Sequence, residues 1–498
     1  MGSSTVRSRS LLGIDLGTSS AKAVVTDAAG AVLAQSVAAY PVENPQPGWS
    51  EADPQKWLTA TTTAVRRAVE ESGTTPAAVG LSGQMHGVVL TGRDGQPVRP
   101  AMLWADSRAV PQLAVYRGLP DAVRARLANP LSPGMAGPML AWLATEEKDT
   151  YARARWALQP KDWLRLQLTG ETAGEPSDAS ATLLYDLVAD TWDKDVIDGL
   201  GIDPELLPPL LPRSGCQAGT LTRQAAAALL LEPGTPVAAG AADTAAAALG
   251  SGLTATGTAQ LTIGTGAQIV TPLSTLPPAM PSAPTTHIYR AATDQGWYRM
   301  GAVLSAGLTL GWVRQVLGAS WPELFAVAAQ APADDDPYFL PHLNGERTPH
   351  LDPDLRGAWT GLSPRHDRER LLRAALEGVA HAIGEAVDEV LTAEPDIHEF
   401  QLAGGGSTDP SWQQLLADVL GHPLRAVDVP AASGRGAAML AARAVGEVLE
   451  PASPPEENRQ VRTTPRADLH AFYRRRRQAF SAQVIALRQP PTPSPGGA

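Results

Sequence analysis

Two carboxylates far apart in the chain are the first candidates for chemistry. Asp15 ends an apolar run that begins at Leu11, and Gly17, Thr18, Ser19 and Ser20 follow it almost at once. A turn of that composition offers backbone N–H groups and small hydroxyls to a phosphate, with no bulky side chain in the way. A carboxylate beside a polyphosphate is repelled unless a cation lies between them. Mg²⁺, which keeps several of its waters, converts that repulsion into attraction. The plainer alternative is a glycine-containing hairpin with an acidic residue near its turn. Asp243 stands in Gly240-Ala241-Ala242-Asp243-Thr244-Ala245-Ala246, where small residues give it few local donors. Two readings fit it: the N-cap of a helix, or a base that accepts a hydroxyl proton while a phosphoryl group arrives in line.

Two more glycine loops share this character. Ile263-Gly264-Thr265-Gly266 repeats the glycine-hydroxyl turn in the second half of the chain, as a two-sided phosphate clamp requires. Ala403-Gly404-Gly405-Gly406-Ser407 ends one apolar run and precedes a helical pattern. Its bare backbone suits a flat ring such as adenine, or simply a tight strand-to-helix turn. Neither of the two glycine-hydroxyl turns is followed by Gly-Lys-Ser/Thr or matches Gly-x-Gly-x-x-Gly, which excludes a Walker loop and a dinucleotide fingerprint there. Other charged groups read as structural: Glu346 and Arg347 as an ion pair holding a loop, Asp334 to Asp336 as a solvated loop, Arg474 to Arg477 as a solvated helix face.

These residues need elements to position them. Residues 10 to 40 read as three short antiparallel strands. Asp53-Pro54 then supplies an N-cap and a first-turn proline, and Trp57, Ala60, Ala64, Val65 and Ala68 follow at helical spacing up to Gly73. The stretch from Ala77 to Leu90 is strand-like on both sides of a polar centre. A fainter copy runs downstream: a strand, glycine turn and strand over 258–273, a further strand after Gly296, a long amphipathic helix from Arg368, then strand, glycine loop and helix from Phe400. This predicts a duplicated α/β architecture with a cleft between the halves, at residues 1–247 and 248–485, followed by a disordered tail over 486–498.

Composition narrows the partners. The chain has 498 residues, too many for one core, and a net charge of −11, which argues against nucleic acid. Cys216 is the single cysteine and cannot form an internal disulfide. The run from Val237 to Leu253 is broken by Asp243 and glycines, so no membrane span is expected. A soluble, cytoplasmic protein is the expectation.

The residues so far resemble the FGGY carbohydrate kinases, and within them the xylulokinase branch, from Leu11 to about Phe480. The resemblance rests on GIDLGTSSAK, GLSGQMHG, LQPKDWLRL, SDASAT, the Asp243 segment, TIGTGA, LPHLNGERTPH and LAGGGS, in that order. It implies two ribonuclease-H-like domains of the actin and sugar-kinase superfamily, closing over ATP and a sugar. It further implies that Asp243 is the proton acceptor and that Asp15 organises Mg²⁺ through water. Gln84, Met85, His86, Trp104 and Asp106 would line the sugar. Gly17, Thr18, Ser19 and Lys22 would face the phosphates from one side, Gly264, Thr265 and Gly266 from the other, and Gly404 with Gly405 the adenosine. A sugar's hydroxyls do call for mixed donors and acceptors and a flat apolar wall.

The implied reaction is phosphorylation of the terminal hydroxyl of a ketopentose, D-xylulose foremost. Two departures from the xylulokinase pattern, Thr244 and Ala105 where asparagines are usual, keep another ketose or a pentitol such as arabinitol open. A non-catalytic sensor of sugar or nucleotide is the reading from a different class. Homodimers are common in the resembled family.

Overall fold

The computed structural model describes residues 9–449 and 462–488. Strand β1 (Leu11–Leu16) is buried at every position, as a central strand covered on both faces must be. It pairs antiparallel with β2 (Ser20–Thr26), which pairs with β3 (Val32–Ala39). On its other side it pairs parallel with β4 (Val79–Gly83). Parallel neighbours need a crossover, supplied by α1 (Pro54–Ser72). The cap of α1 is as expected: Asp53 accepts the Gln55 N–H, and Gly73 ends the helix at φ 62°. Strands β5 (Gln217–Thr220), β6 (Pro236–Ala238) and β7 (Ala241–Ala242) complete a seven-stranded sheet, with β6 and β7 parallel to β4. From β7 the chain passes directly into helix α2 (Asp243–Gly250).

The second sheet repeats the wiring with six strands. Here β8 (Thr258–Ile263) pairs antiparallel with β9 (Ala267–Leu273). β10 (His287–Arg290) and β11 (Trp297–Val303) form an antiparallel pair, with β11 lying against β9. The 26-residue helix α3 (Arg368–Ala393) crosses over to β12 (Glu399–Ala403), which is parallel to β8, and β13 (Leu424–Ala426) follows beside it. Each lobe has its own core, one around Trp57 and Trp163, the other around α3 and Trp412. A third apolar cluster joins Met85 and the alanines of β7 and α2 to Val270, Tyr289 and Tyr298 of the second sheet.

The abundance of alanine and glycine has a local cause. Helix α4 (Ala432–Ala444) returns from the second sheet and lies directly on the first. A Cβ on Gly13 would sit 1.9 Å from the Gly434 carbonyl oxygen, and one on Gly80 1.8 Å from that of Ala437. No side chain larger than hydrogen fits at either strand position. The same helix crosses α2, where Gly436 meets the Ala246 carbonyl as closely.

Helix α5 (Ala467–Arg488) corrects two expectations about charge. Arg476 stacks 4.2 Å above the Tyr338 ring, donates to the Asp336 and Pro337 carbonyls and pairs with Glu377. Arg477 donates to the Val419 carbonyl and pairs with Asp388. Both are buried, and only Arg474 and Arg475 of the run face solvent. Asp336 is likewise buried against Arg370 rather than solvated. Spacing alone does not reveal that a long cationic side chain will find carboxylates and carbonyls under the helix. The expected tail falls at 489–498 outside the described residues, and 486–488 close α5. No described helix is long and apolar enough to cross a membrane.

The contact of α4 on the first sheet is testable through its glycines. Gly80→Ala should lower the urea midpoint, costing on the order of 1–3 kcal/mol as an overpacked core does. A midpoint equal to that of the unsubstituted chain would contradict the packing.

Candidate active site between the lobes

A cleft of about 1070 Å³ opens between the two sheets. Asp15, Gly17 and Lys22 line it from the first lobe, Asp243 and Thr244 from the start of α2, and Gly404 and Gly405 from the second. Strand register explains the surroundings of Asp15. Lys22 is opposite it on β2 and Ser82 beside it on β4. Ser82 Oγ donates to Asp15 Oδ1 at 3.1 Å, and Lys22 Nζ lies 3.7 Å from Oδ2. Burial raises the Asp15 carboxyl above the usual carboxylate range, with Lys22 and Ser82 opposing the shift.

Asp243 reaches the same cleft from the end of β7. Ala242 occupies the N-cap and Asp243 is the first helical residue, so the N-cap reading is not the one realised. Its Oδ1 accepts the Thr244 N–H at 2.6 Å and the Thr244 hydroxyl at 3.3 Å. Burial first, and then the charge of Asp15, push the Asp243 carboxyl up to about 7. The two carboxylates are therefore brought within each other's field. A buried network fixes the approach to Asp243: the Ala242 N–H donates to Ser177 Oγ at 3.0 Å, and Ser177 donates to Glu175 at 2.7 Å. Glu175 and Asp178 in turn face the fully buried Lys161 at 3.2 Å each.

The glycine turns divide. Gly17 lines the cleft, yet its N–H is spent inside the turn on the Ser20 carbonyl, and its own carbonyl accepts Gln84 Nε2 and the Tyr40 hydroxyl. Thr18 accepts the Trp104 indole N–H at 3.0 Å, and Ser19 is exposed. Gly404, at φ 91°, approaches the Ile263 backbone so closely that a Cβ would meet its carbonyl oxygen at 2.4 Å. Gly264, Thr265 and Gly266 are not among the residues that line this cleft. The Gly264 and Thr265 carbonyls accept the N–H groups of Gly307 and Leu308, and the wall is formed by Thr262 and Gln268 just inside the turn.

Gln84, Met85, His86, Trp104 and Asp106 are not among the residues lining this cleft. His86 sits at φ 73° with Nδ1 2.7 Å from the Ala181 carbonyl. That contact requires Nδ1–H to donate, leaving Nε2 as a lone pair. Burial lowers the imidazole to about 4, so it is neutral at pH 7. Met85 sulfur receives the Tyr298 hydroxyl at 3.9 Å. Asp106 has both oxygens taken by the protein. Its oxygens accept Arg108 at 2.6–3.0 Å and the Ser50 N–H at 2.8 Å, and its carboxylate is fully enclosed. It braces the loop that presents Trp104.

The Glu346–Arg347 ion pair does not form. Glu346 accepts the Leu304 and Arg347 N–H groups and pairs with His342, while Thr348 bonds Ala302 through both backbone and side chain. Residues 346 and 348 are thus fastened to the end of β11, and alternation turns Arg347 the opposite way. Its guanidinium lies 5.5 Å from the centre of the Trp104 ring of the first lobe. Tyr289 carries no signal in the sequence, Ser177 enters only as the first residue of SDASAT, and Arg347 only as a partner for Glu346. The one signal for Arg347 was its place in GERTPH, where the adjacent glutamate suggested a partner already in hand.

Comparison with known proteins agrees with this geometry. Residues 10–250 match the N-terminal domain of the FGGY family of carbohydrate kinases, and residues 259–445 match its C-terminal domain. The chain is 33% identical to a xylulose kinase of Escherichia coli over 94% of this chain and 97% of that one. It is 34% identical to a glycerol kinase of Alkalilimnicola ehrlichii over 88% and 90%. A crystal structure described as a xyloylose kinase from Brucella ovis superposes with a TM-score of 0.88 at 32% identity, covering 96% of this chain and 99% of that one. Two lobes of shared wiring, with facing carboxylates in the cleft between them, make this chain a phosphotransferase that belongs to the FGGY family of carbohydrate kinases.

Proposed function

We propose that the enzyme transfers the γ-phosphoryl group of ATP to the terminal hydroxyl of a ketopentose, D-xylulose foremost, giving the 5-phosphate. The observation that supports this most is Asp243, a half-buried carboxylate in an open cleft, held by Thr244 and raised to about 7 beside Asp15. A base with a pKa near the working pH accepts a proton effectively as the oxygen becomes a nucleophile. The sugar O5–H proton passes to Asp243, the O5–P bond forms, and the bond from the γ-phosphorus to the β–γ bridging oxygen breaks to release ADP. His86 offers a lone pair to a sugar hydroxyl, and Trp104 offers a flat wall. Residues 1–247 hold most of the sugar contacts in this reading and 248–485 most of the nucleotide contacts.

Asp15 would hold Mg²⁺ through water. The fit rests on donor chemistry: one buried carboxylate with a raised pKa and a second beside it leave excess negative potential that Lys22, 3.7 Å away, only partly offsets. Among the described residues no cluster of three or more His, Cys, Asp or Glu forms a dedicated metal cage, which suits a cation held largely by water and phosphate. Bound there, the ion supplies neutralisation of phosphate charge. Closure of the lobes excludes water and limits ATP hydrolysis.

Another ketose or a pentitol is the second reading, favoured by Thr244 and Ala105. Thr244 supplies two donors to Asp243 Oδ1, so the base is oriented without an asparagine. The substrate is decided by an ADP-release assay over D-xylulose, D-ribulose, D-arabinitol, xylitol and glycerol. D-xylulose is expected to give the highest kcat/KM, and a clear preference for another acceptor would remove it.

Two further outcomes concern Asp243. Asp243→Asn should reduce sugar-dependent ADP release by at least about 10²-fold, the lower range for loss of general base catalysis. A near-normal rate would refute the assignment. The pH dependence carries a definite sign. The folded carboxyl holds its proton up to about 7, whereas the unfolded one loses it near 3.8, so stability falls as pH rises across that window. Asp243→Asn should therefore melt at higher temperature than the unsubstituted enzyme at pH 8, and the gap should narrow as pH falls toward 4. A gap independent of pH would show that the carboxylate is not under this strain.

A further inference from the structure

We propose that Arg347 reads the carbonyl oxygen of the sugar, at the end of the ketose remote from the transferred phosphoryl group. This rests on the ketopentose reading above and adds a residue from the second lobe to the recognition of the sugar.

Three observations support it. Among the described residues, no hydrogen bond or ion pair is made by the Arg347 side chain, and none of its nitrogens is sealed from solvent. By contrast the buried arginines 108, 165 and 373 are each held by a carboxylate. A half-buried guanidinium that feels the Glu346 charge but makes no hydrogen bond or ion pair with it, on a loop whose flanking residues are pinned, keeps its donors available to a ligand. Its position is the second observation. The charge of Asp243 reaches Tyr298, whose ring lies 5.5 Å from Tyr289, and Tyr289 lies 6.1 Å from His86. The field of Arg347 falls on Tyr289, His86 and His287 at the far end of that series. A sugar whose reacting hydroxyl meets Asp243 extends its other end toward Arg347.

The third observation is complementarity. Asp243 and the Nε2 of His86 are acceptors, which hydroxyl protons satisfy. The ketone is the one oxygen of a ketopentose with no proton to give, so acceptors cannot read it. A guanidinium has five N–H groups and no lone pair to offer, and it bonds a carbonyl with the added strength of a charged donor. Reducing the ketone to a carbinol restores a proton, and the new hydroxyl can turn to the histidines instead. Dependence on Arg347 should therefore be specific to the ketose.

The test pairs a change in the protein with a change in the ligand. Arg347→Met, close in length and uncharged, is compared with the full enzyme, with Arg347→Lys as the variant that keeps the charge and loses the fork. D-xylulose is the substrate. Xylitol and D-arabinitol, its two products of reduction at C2, are measured as competitive inhibitors so that slow turnover does not matter. Arg347→Met should lower kcat/KM for D-xylulose roughly 10- to 100-fold, mainly through KM, as expected for loss of a hydrogen bond to a charged group. The pentitol Ki should change by less than about threefold, the KM for ATP should not move, and Arg347→Lys should fall between. Equal losses for ketose and pentitols would make Arg347 a mere tether between the lobes and overturn the proposal, as would an unchanged KM for D-xylulose. Should the unsubstituted enzyme fail to phosphorylate D-xylulose while using another acceptor, the substrate reading itself falls, and this proposal with it.

Discussion

The repulsion between Asp15 and Asp243 is the constraint around which the molecule is arranged. Burial raises both carboxyls, the charge of Asp15 adds to the shift of Asp243, and Lys22, 3.7 Å from Asp15, offsets only part of it. The scaffold tolerates this through rigid placement. Asp15 is fixed by register between Lys22 and Ser82 in the middle of a sheet. Asp243 is fixed where a strand becomes a helix, through the Ser177–Glu175–Lys161 network beneath it. The network under Asp243 is buried, while Lys22 stays partly open toward the cleft, so the negative charge of the two carboxyls is felt on the cleft side.

Much of this was legible in the sequence because it is encoded locally. The cap at Asp53, the hairpin after Asp15 and the repeat of strand, turn, helix and strand depend on neighbours a few residues away. The features that were misread depend on distant ones. Asp106 reads as a polar group beside an aromatic, but Ser50 and Arg108 consume its oxygens. Arg476 and Asp336 each belong to a run of like charge, and each is drawn inward by groups more than thirty residues away. Pairing by adjacency failed at Glu346 and Arg347 for a different reason: an extended backbone sends neighbours to opposite sides.

Trp104 connects the two halves of the chemistry. Its indole N–H holds Thr18 in the turn next to Asp15, and its ring faces Arg347 from the other lobe. One side chain therefore touches the turn after Asp15 in the first lobe and a guanidinium of the second. The brace at Asp106 matters for the same reason, since it fixes the loop on which Trp104 stands.

The return of α4 onto the first sheet bears on how the protein can be divided. Its sequence belongs with the second half, yet it supplies the lid for Gly13 and Gly80 and the neighbour for α2. A gene cut in the loop before Thr258 would yield an upstream fragment with its β1 and β4 glycines facing water, and a downstream fragment with a helix looking for its seat. Neither piece is a self-sufficient folding unit, and the two regain a covered sheet only by reassembling. The inherited duplication of wiring is therefore not a duplication of independence.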